Sequence, residues 1–174
     1  MCEDPHPSSP GPKKPKKLSE EMDADSHIRE GNALLLVGRI DEAIEEYRAA
    51  LDKDPENAEV HYNLGLIYRK TMQLDDAIRE YREAIRVDPG NMKYHNNLAA
   101  ALVVKGQKSE AVKEYEEALR IEPKNATLHF NRGFALDEMG ELQEAKKEYE
   151  EALRIDPGFD HAMFYLGMLK KKLK

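Results

Sequence analysis

From about residue 24 onward, apolar positions recur at helical spacing in stretches of about 14 residues, longer than ordinary strands and right for short helices. Two such stretches fill each 34-residue period, and in the second period they run over about 58–71 and 74–87. Self-similarity at one fixed offset decides an architecture before any local propensity does. Pro55, Pro89, Pro123 and Pro157 fall on this period, as do Tyr47, Tyr81, Tyr115 and Tyr149. So do Ala43, Ala77, Ala111 and Ala145, and Ala50, Ala84, Ala118 and Ala152. Gly31, Gly65, Gly133 and Gly167 share another register, interrupted by Ala99. Asp23, Asn57, Asn91 and Asn125 share one more, and His27, His61, His95 and His129 complete the set.

The punctuation of the period has physical causes. Asn57, Asn91 and Asn125 stand just ahead of a helical stretch, where a side-chain oxygen accepts from the orphan N–H groups of the first turn. Each proline stands two residues before its asparagine and ends the preceding helix, because it removes a donor and clashes with the previous turn. Gly38, Gly106 and Gly140 mark the tight turn inside a unit, where a left-handed residue is needed. Met72 holds that register in the second unit, so its turn is expected to be built differently. Small residues on both helices, Gly65 and Ala77 among them, let paired helices approach closely, with the repeated tyrosines expected to fill the space between neighbouring units.

This pattern resembles the tetratricopeptide repeat family. In the second unit Leu64, Gly65, Tyr68, Ala77, Tyr81, Ala84 and Pro89 carry the resemblance. The units run over about 24–57, 58–91, 92–125 and 126–159, with 160–174 as a capping first helix. Glu30 and Arg132 stand where Leu64 and Leu98 do, and Phe159 replaces the repeated Asn, which puts local packing and the last helix start in question. The resemblance implies an all-α fold, a right-handed superhelical solenoid of antiparallel helix pairs whose first helices line a concave groove. Its implied function is that of a protein-interaction adaptor, holding an extended peptide or partner segment in that groove.

Carried onto this sequence, the groove positions include Asn32, Tyr62, Asn63, Arg69, Lys70, Lys93, Asn97, Phe130, Asn131 and Phe134, with Asp137 and Glu138 toward one end. Asn63, Asn97 and Asn131 recur once per unit, and an amide offers both donor and acceptor to the backbone of an extended peptide. The other reading of these asparagines is that they only join neighbouring helices. Tyr62, Phe130 and Phe134 are expected to supply apolar pockets, and Arg69, Lys70 and Lys93 to favour acidic ligand groups. A two-carboxylate clamp used by some family members for chaperone tails needs Lys, Asn, Asn, Lys and Arg, in registers held here by Ile28, Asn32, Asn63, Lys93 and Asn97. The outer two basic residues are absent, so chaperone-tail binding is expected to be weak or absent.

The histidine ladder invites a metal reading, which the stacking opposes. Equivalent residues in adjacent units lie on the order of 20 Å apart at 8–10 Å per helix contact, too far to share one ion. The histidines are expected to be packing wedges. The adjacent Asp25, Ser26 and His27 point in different directions on one helix and make no proton relay. No HExxH, GxSxG or phosphate-cradling glycine loop is present, so neither an enzyme nor a cofactor is expected. Glutamates such as Glu116, Glu117, Glu150 and Glu151 alternate with basic residues on second helices, the pattern of a solvated face.

Composition narrows the partners. A net charge of -7 over 174 residues disfavours nucleic acid, whose phosphates need clustered Lys and Arg. The longest apolar run, residues 98–104, is far short of a membrane span of roughly 20 residues. Residues 1–18 hold five of the nine prolines and little that is apolar, so a disordered Pro/Lys-rich tail is expected ahead of a domain over 19–174. With no apolar signal core at the N-terminus, a cytoplasmic location is the expectation. Cys2, followed by a spacer-like EDPHPSSPGPKKPKK, offers the alternative of a lipid-anchored bacterial assembly factor. A self-assembling scaffold is a further alternative, because the final helix brings Met163, Phe164, Leu166 and Leu169 with no second helix to cover them, a route to a homo-oligomer.

Overall fold

The computed structural model describes residues 22–173. The expected tail over 1–18, Cys2 and Lys174 lie outside the described residues. Among the described residues there are nine α-helices and no strand. They are α1 (Ala24–Leu36), α2 (Ile40–Lys53), α3 (Ala58–Lys70), α4 (Leu74–Val87), α5 (Met92–Val104), α6 (Lys108–Ile121), α7 (Ala126–Met139), α8 (Leu142–Ile155) and α9 (Asp160–Lys172). The helices divide into two compact units at Asp54 and Pro55, so α1 and α2 form one and α3 to α9 the other. The architecture is an all-α helical-repeat solenoid.

The helix starts follow the register of caps. Asp23 accepts from the Ser26 N–H at 2.8 Å, Asn57 from Val60 at 3.1 Å, Asn91 from Lys93 at 3.1 Å and Asn125 from Leu128 at 3.2 Å. Phe159 cannot do this, and α9 begins without a side-chain cap. Its ring lies 5.2 Å from that of Phe130 instead, so an apolar contact fixes the entry of α9 where an amide fixes the others.

Within the second unit each helix packs on the next, and the first helices α3, α5, α7 and α9 stand side by side in a row. The core runs along the contacts between helices and is built from the periodic residues. Ala77, Tyr81, Ala84, Ala111, Ala118, Ala145, Tyr149 and Ala152 are wholly buried, with Leu64, Leu98, Leu102, Leu128 and Leu169 between them.

One contact sets how close the two helices of a pair come. A Cβ placed on Gly65 would stand 2.5 Å from the Tyr81 ring, and one on Gly133 would stand 2.9 Å from the Tyr149 ring. In the first unit the same contact joins Gly31 to Tyr47 at 3.1 Å. The tyrosine therefore lies on the glycine of its own helix pair, and Tyr149 also reaches the following helix, its ring 6.1 Å from that of Tyr165. Gly167, in the same register on α9, has nothing within 4 Å of such a Cβ, because no helix follows α9 among the described residues.

The expectation for the second turn needs correcting. Met72 adopts a φ of 63°, the left-handed conformation that Gly38, Gly106 and Gly140 take at 77°, 85° and 83°. Its hydrogen bonds are also those of the glycine turns. The Met72 N–H donates to Arg69 O at 3.1 Å and Gln73 N–H to Tyr68 O at 2.8 Å, matching Gly106 to Val103 at 3.0 Å and Gln107 to Leu102 at 2.9 Å. Packing of α3 on α4 fixes the turn, and methionine is carried into it with its side chain exposed.

Three substitutions separate these effects in urea denaturation. Gly65→Ala is expected to destabilise by roughly 1–3 kcal/mol through overpacking. Gly167→Ala is expected to stabilise by about 0.5–1 kcal/mol, the ordinary helix preference with no clash to oppose it. Met72→Gly should gain up to about 1 kcal/mol by relieving the left-handed methionine. Equal effects at Gly65 and Gly167 would contradict the close-contact account.

Candidate functional site

The row of first helices in the second unit brings most of the expected groove residues together. Tyr62 on α3 lies against Tyr94 on α5, ring centroids 5.0 Å apart, and its hydroxyl accepts from Asn97 Nδ2 at 3.2 Å. The same Nδ2 donates to the Lys93 carbonyl at 2.8 Å. Asn131 on α7 donates to Asn96 Oδ1 on α5 at 3.1 Å. Two rungs of the asparagine series thus use an N–H₂ group to join neighbouring first helices, while their own amide oxygens accept from no described residue. The side chain of Asn63 makes no hydrogen bond with another described residue.

The aromatic positions divide. Phe134 meets Tyr165 edge-on at 5.5 Å and stays half-buried. Phe130 packs among Tyr149, Phe159 and Tyr165 and joins the terminal core cluster of Leu136, Leu166 and Leu169. Asn32 lies in the first unit, where its Oδ1 accepts from the Tyr47 hydroxyl at 2.5 Å. In the second unit Leu66 and Phe134 hold the Asn32 register, and the buried hydroxyls of Tyr81 and Tyr149 have no hydrogen-bond partner. Burial raises both phenol pKa values, that of Tyr81 to about 12, against the opposing charge of Arg69.

The charged positions divide as well. Asp137 pairs with Lys172 at 2.8 Å and Glu138 with Lys108 at 3.2 Å, so the acidic end is neutralised within the unit. Lys70 and Lys93 are exposed and form no ion pair with a described residue. Arg69 is half-buried and has no carboxylate within ion-pair distance among the described residues. A shallow depression over Glu122, Pro123, Lys124 and Asn125 lies in the loop between α6 and α7, apart from the candidate positions.

The histidines do more than wedge. His27, His61 and His95 are buried, and His129 nearly so. Each places Nδ1 at 2.7 or 2.8 Å from a glutamate 19 residues on, in the second helix of its own pair: Glu46, Glu80, Glu114 and Glu148. For the last three, Nε2 stands 3.1 Å from the carbonyl of Pro55, Pro89 or Pro123, six residues back. A carbonyl and an ionised carboxylate only accept, so satisfying both nitrogens requires that both carry hydrogen. The hydrogen bond to glutamate is the main reason that the His61 and His95 pKa values are raised against the effect of burial, with the proline carbonyl adding to it. Each of these rings is thus a clamp tying first helix, second helix and the preceding loop.

Profiles of the TPR repeat match residues 31–71 and 101–140, and profiles of the tetratricopeptide repeat match 58–91 and 126–159. The chain belongs to the tetratricopeptide repeat family. Among solved structures it is similar to MamA, at 27% identity and a TM-score of 0.79 over 82% of this chain and 83% of that one. YrrB, described as a TPR protein with an unusual peptide-binding site, is 25% identical with a TM-score of 0.77, over 90% of this chain and 81% of its own. MamA from Desulfovibrio magneticus RS-1, residue 41 to its end, shares the fold at a TM-score of 0.80 and 17% identity over 86% and 84% of the two chains. No curated protein matches the sequence.

Against the tetratricopeptide pattern, the departure at Arg132 is accommodated by two carboxylates. The guanidinium reaches Glu148 at 2.7 Å and Glu116 at 2.6 Å, where other tetratricopeptide units of this chain bury Leu64 or Leu98. Glu116 is therefore part of a cross-helix bridge, in addition to belonging to a solvated face. Sequence reasoning missed the glutamate half of the histidine clamp, although Glu46, Glu80, Glu114 and Glu148 also recur at the 34-residue period and carried the signal.

Replacing His61 with Ala is expected to destabilise by about 2–3 kcal/mol, since a charge-assisted hydrogen bond and its neighbour are lost together. The pH dependence has a defined sign. A raised folded pKa means that the contribution of His61 and His95 is fully present below the unfolded imidazole value of about 6.5 and is lost as pH rises through the folded values. The urea midpoint should fall over that window, and His61→Gln with His95→Gln should flatten the fall. A midpoint that rises there, or a slope unchanged in the double variant, would contradict the clamp.

Proposed function

We propose that the second unit is a non-enzymatic interaction module that binds an extended segment of a partner protein along α3, α5 and α7. The observation that carries this reading is the set of uncommitted amide groups on that row: the whole side chain of Asn63, and the oxygens of Asn97 and Asn131. An extended backbone presents alternating N–H and C=O groups, and amides spaced along the row can pair with them whatever the side chains. Tyr62 and Phe134 flank the same row and supply apolar contact. Likeness to YrrB, described as having a peptide-binding site, supports a groove ligand for this chain as well. No helix among the described residues is long and apolar enough to cross a membrane, and the proposed location is the cytoplasm.

A second reading rests on α9. Met163, Phe164 and Met168 are 51%, 64% and 46% exposed on a helix that, among the described residues, is covered from one side only, which favours self-association through that end. Light scattering over a concentration series separates the two: growth in mass that Phe164→Ser abolishes supports assembly, and a constant monomer mass excludes it.

Panning a random peptide library on the full chain tests the groove. Selected peptides should lose binding to Asn63→Ala, whose melting temperature stays at the wild-type value because no internal hydrogen bond is lost. Adding Asn97→Ala and Asn131→Ala should remove the remaining binding while lowering stability by about 0.5–1.5 kcal/mol for each helix-joining bond. Peptides that bind all variants equally would sink the model.

A further inference from the structure

The arginines of the second unit follow a rule with one exception. Arg79 pairs with Asp76 and Glu80, Arg82 with Glu110, Arg86 with Glu56 and Glu83. Arg120 pairs with Glu117, Arg132 with Glu116 and Glu148, and Arg154 with Glu151. Arg69 alone among the described arginines of this unit lacks a carboxylate, in a chain whose net charge is -7 and whose acidic groups are plentiful. It is also less exposed than Arg79, Arg82, Arg86, Arg120 and Arg154, so it has given up water without gaining an anion.

What surrounds it is phenolic. The charge of Arg69 acts on the hydroxyls of Tyr62, Tyr81 and Tyr115, and the Tyr81 oxygen is buried without a hydrogen-bond partner among the described residues. Tyr62 keeps its own O–H proton for donation, since its oxygen accepts from Asn97. Tyr62, Leu66 and Arg69 follow one another at spacings of four and three on a single face of α3, the spacing of neighbours on a helix surface. Positive charge in the last turn also suits the helix dipole, but Lys70 beside it is exposed and serves that role without being buried.

We infer that Arg69 is the anchor of the first-helix row, and that the bound segment carries an aspartate or glutamate side chain whose carboxylate the guanidinium and the Tyr62 hydroxyl receive. A guanidinium fork matches a carboxylate in two parallel hydrogen bonds, so the site selects an acidic residue at one position of an otherwise tolerant segment. This inference rests on the groove reading above and names the chemistry of its ligand.

Two peptide libraries, one with the random segment flanked on both sides by Gly-Ser spacers and one ending in a free C-terminus, are panned on the full chain and on Arg69→Gln. The expected result is enrichment of Asp or Glu at one position in both libraries on the wild type, and its disappearance on Arg69→Gln. A selected acidic peptide should bind Arg69→Gln about 10- to 100-fold more weakly. Its Asp→Asn or Glu→Gln form should lose the same on the wild type and nothing further on the variant. Unchanged melting of Arg69→Gln, expected because no internal ion pair is removed, keeps the comparison free of folding. Acidic enrichment that survives Arg69→Gln, or selected peptides without acidic preference, overturns the Arg69 assignment and leaves the groove standing. Enrichment confined to the free C-terminal library assigns the site to a chain-terminal carboxylate and overturns the side-chain source. No selected peptide at all overturns the groove reading and this inference together.

Discussion

Three of the four helix pairs depend on a ring lying where a side chain would otherwise be, with Ala99 standing in that register in the fourth. Tyr81 occupies the space of the missing Gly65 side chain, and Tyr149 that of Gly133. Helices this close leave no room for adjustment, so the positions of neighbouring residues along both helices follow from that one contact. Ala77 and Ala145 are wholly buried because the approach admits nothing larger. Met72 takes a left-handed backbone because the chain must turn at the point the contact dictates, whichever residue is there.

The same closeness makes the polar interior possible. His61 can touch Glu80 and the Pro55 carbonyl together only if α3, α4 and the preceding loop are held in register. A charged pair removed from water is weak evidence for stability by itself, because desolvation offsets much of the attraction. Repeated with one geometry in successive pairs, it gives each unit a definite alignment that an apolar wedge of the same size would leave looser. Arg132 extends the principle: placed where leucine is usual, it is tolerated because two glutamates from flanking second helices converge on it.

The period made the architecture legible, because a helix pair that repeats must repeat its caps, breakers and close contacts. Asn57, Asn91 and Asn125 cap the helices that their positions indicated. What the period concealed was partnership. Glu80 and Glu114 recur as regularly as His61 and His95, yet on a helix rich in acidic residues they looked like solvent-facing charge, and only the packing of α3 on α4 and α5 on α6 selects them as partners. The asparagine series was visible for a similar reason and incomplete for the same one. Asn97 and Asn131 turn an N–H₂ group toward the neighbouring first helix, while Asn63 does not, a distinction set by Tyr62 and Asn96 across the row rather than by anything within the series. Nor does sequence reveal which of the arginines lacks a carboxylate, because pairing is decided across helices.

Structure and function meet in a division of labour between helices. Second helices supply the tyrosines and glutamates that fix each pair, which leaves the first helices free to present amides, phenols and one unpaired arginine along a row. The most direct measurement of this account is a map of amide chemical-shift changes as a peptide selected on the full chain is titrated into it. The account predicts that the largest changes fall on α3, α5 and α7 around Asn63, Arg69, Asn97 and Asn131, with α4, α6 and α8 little affected. Changes concentrated on the second helices, or confined to the exposed end around Phe164, would contradict it.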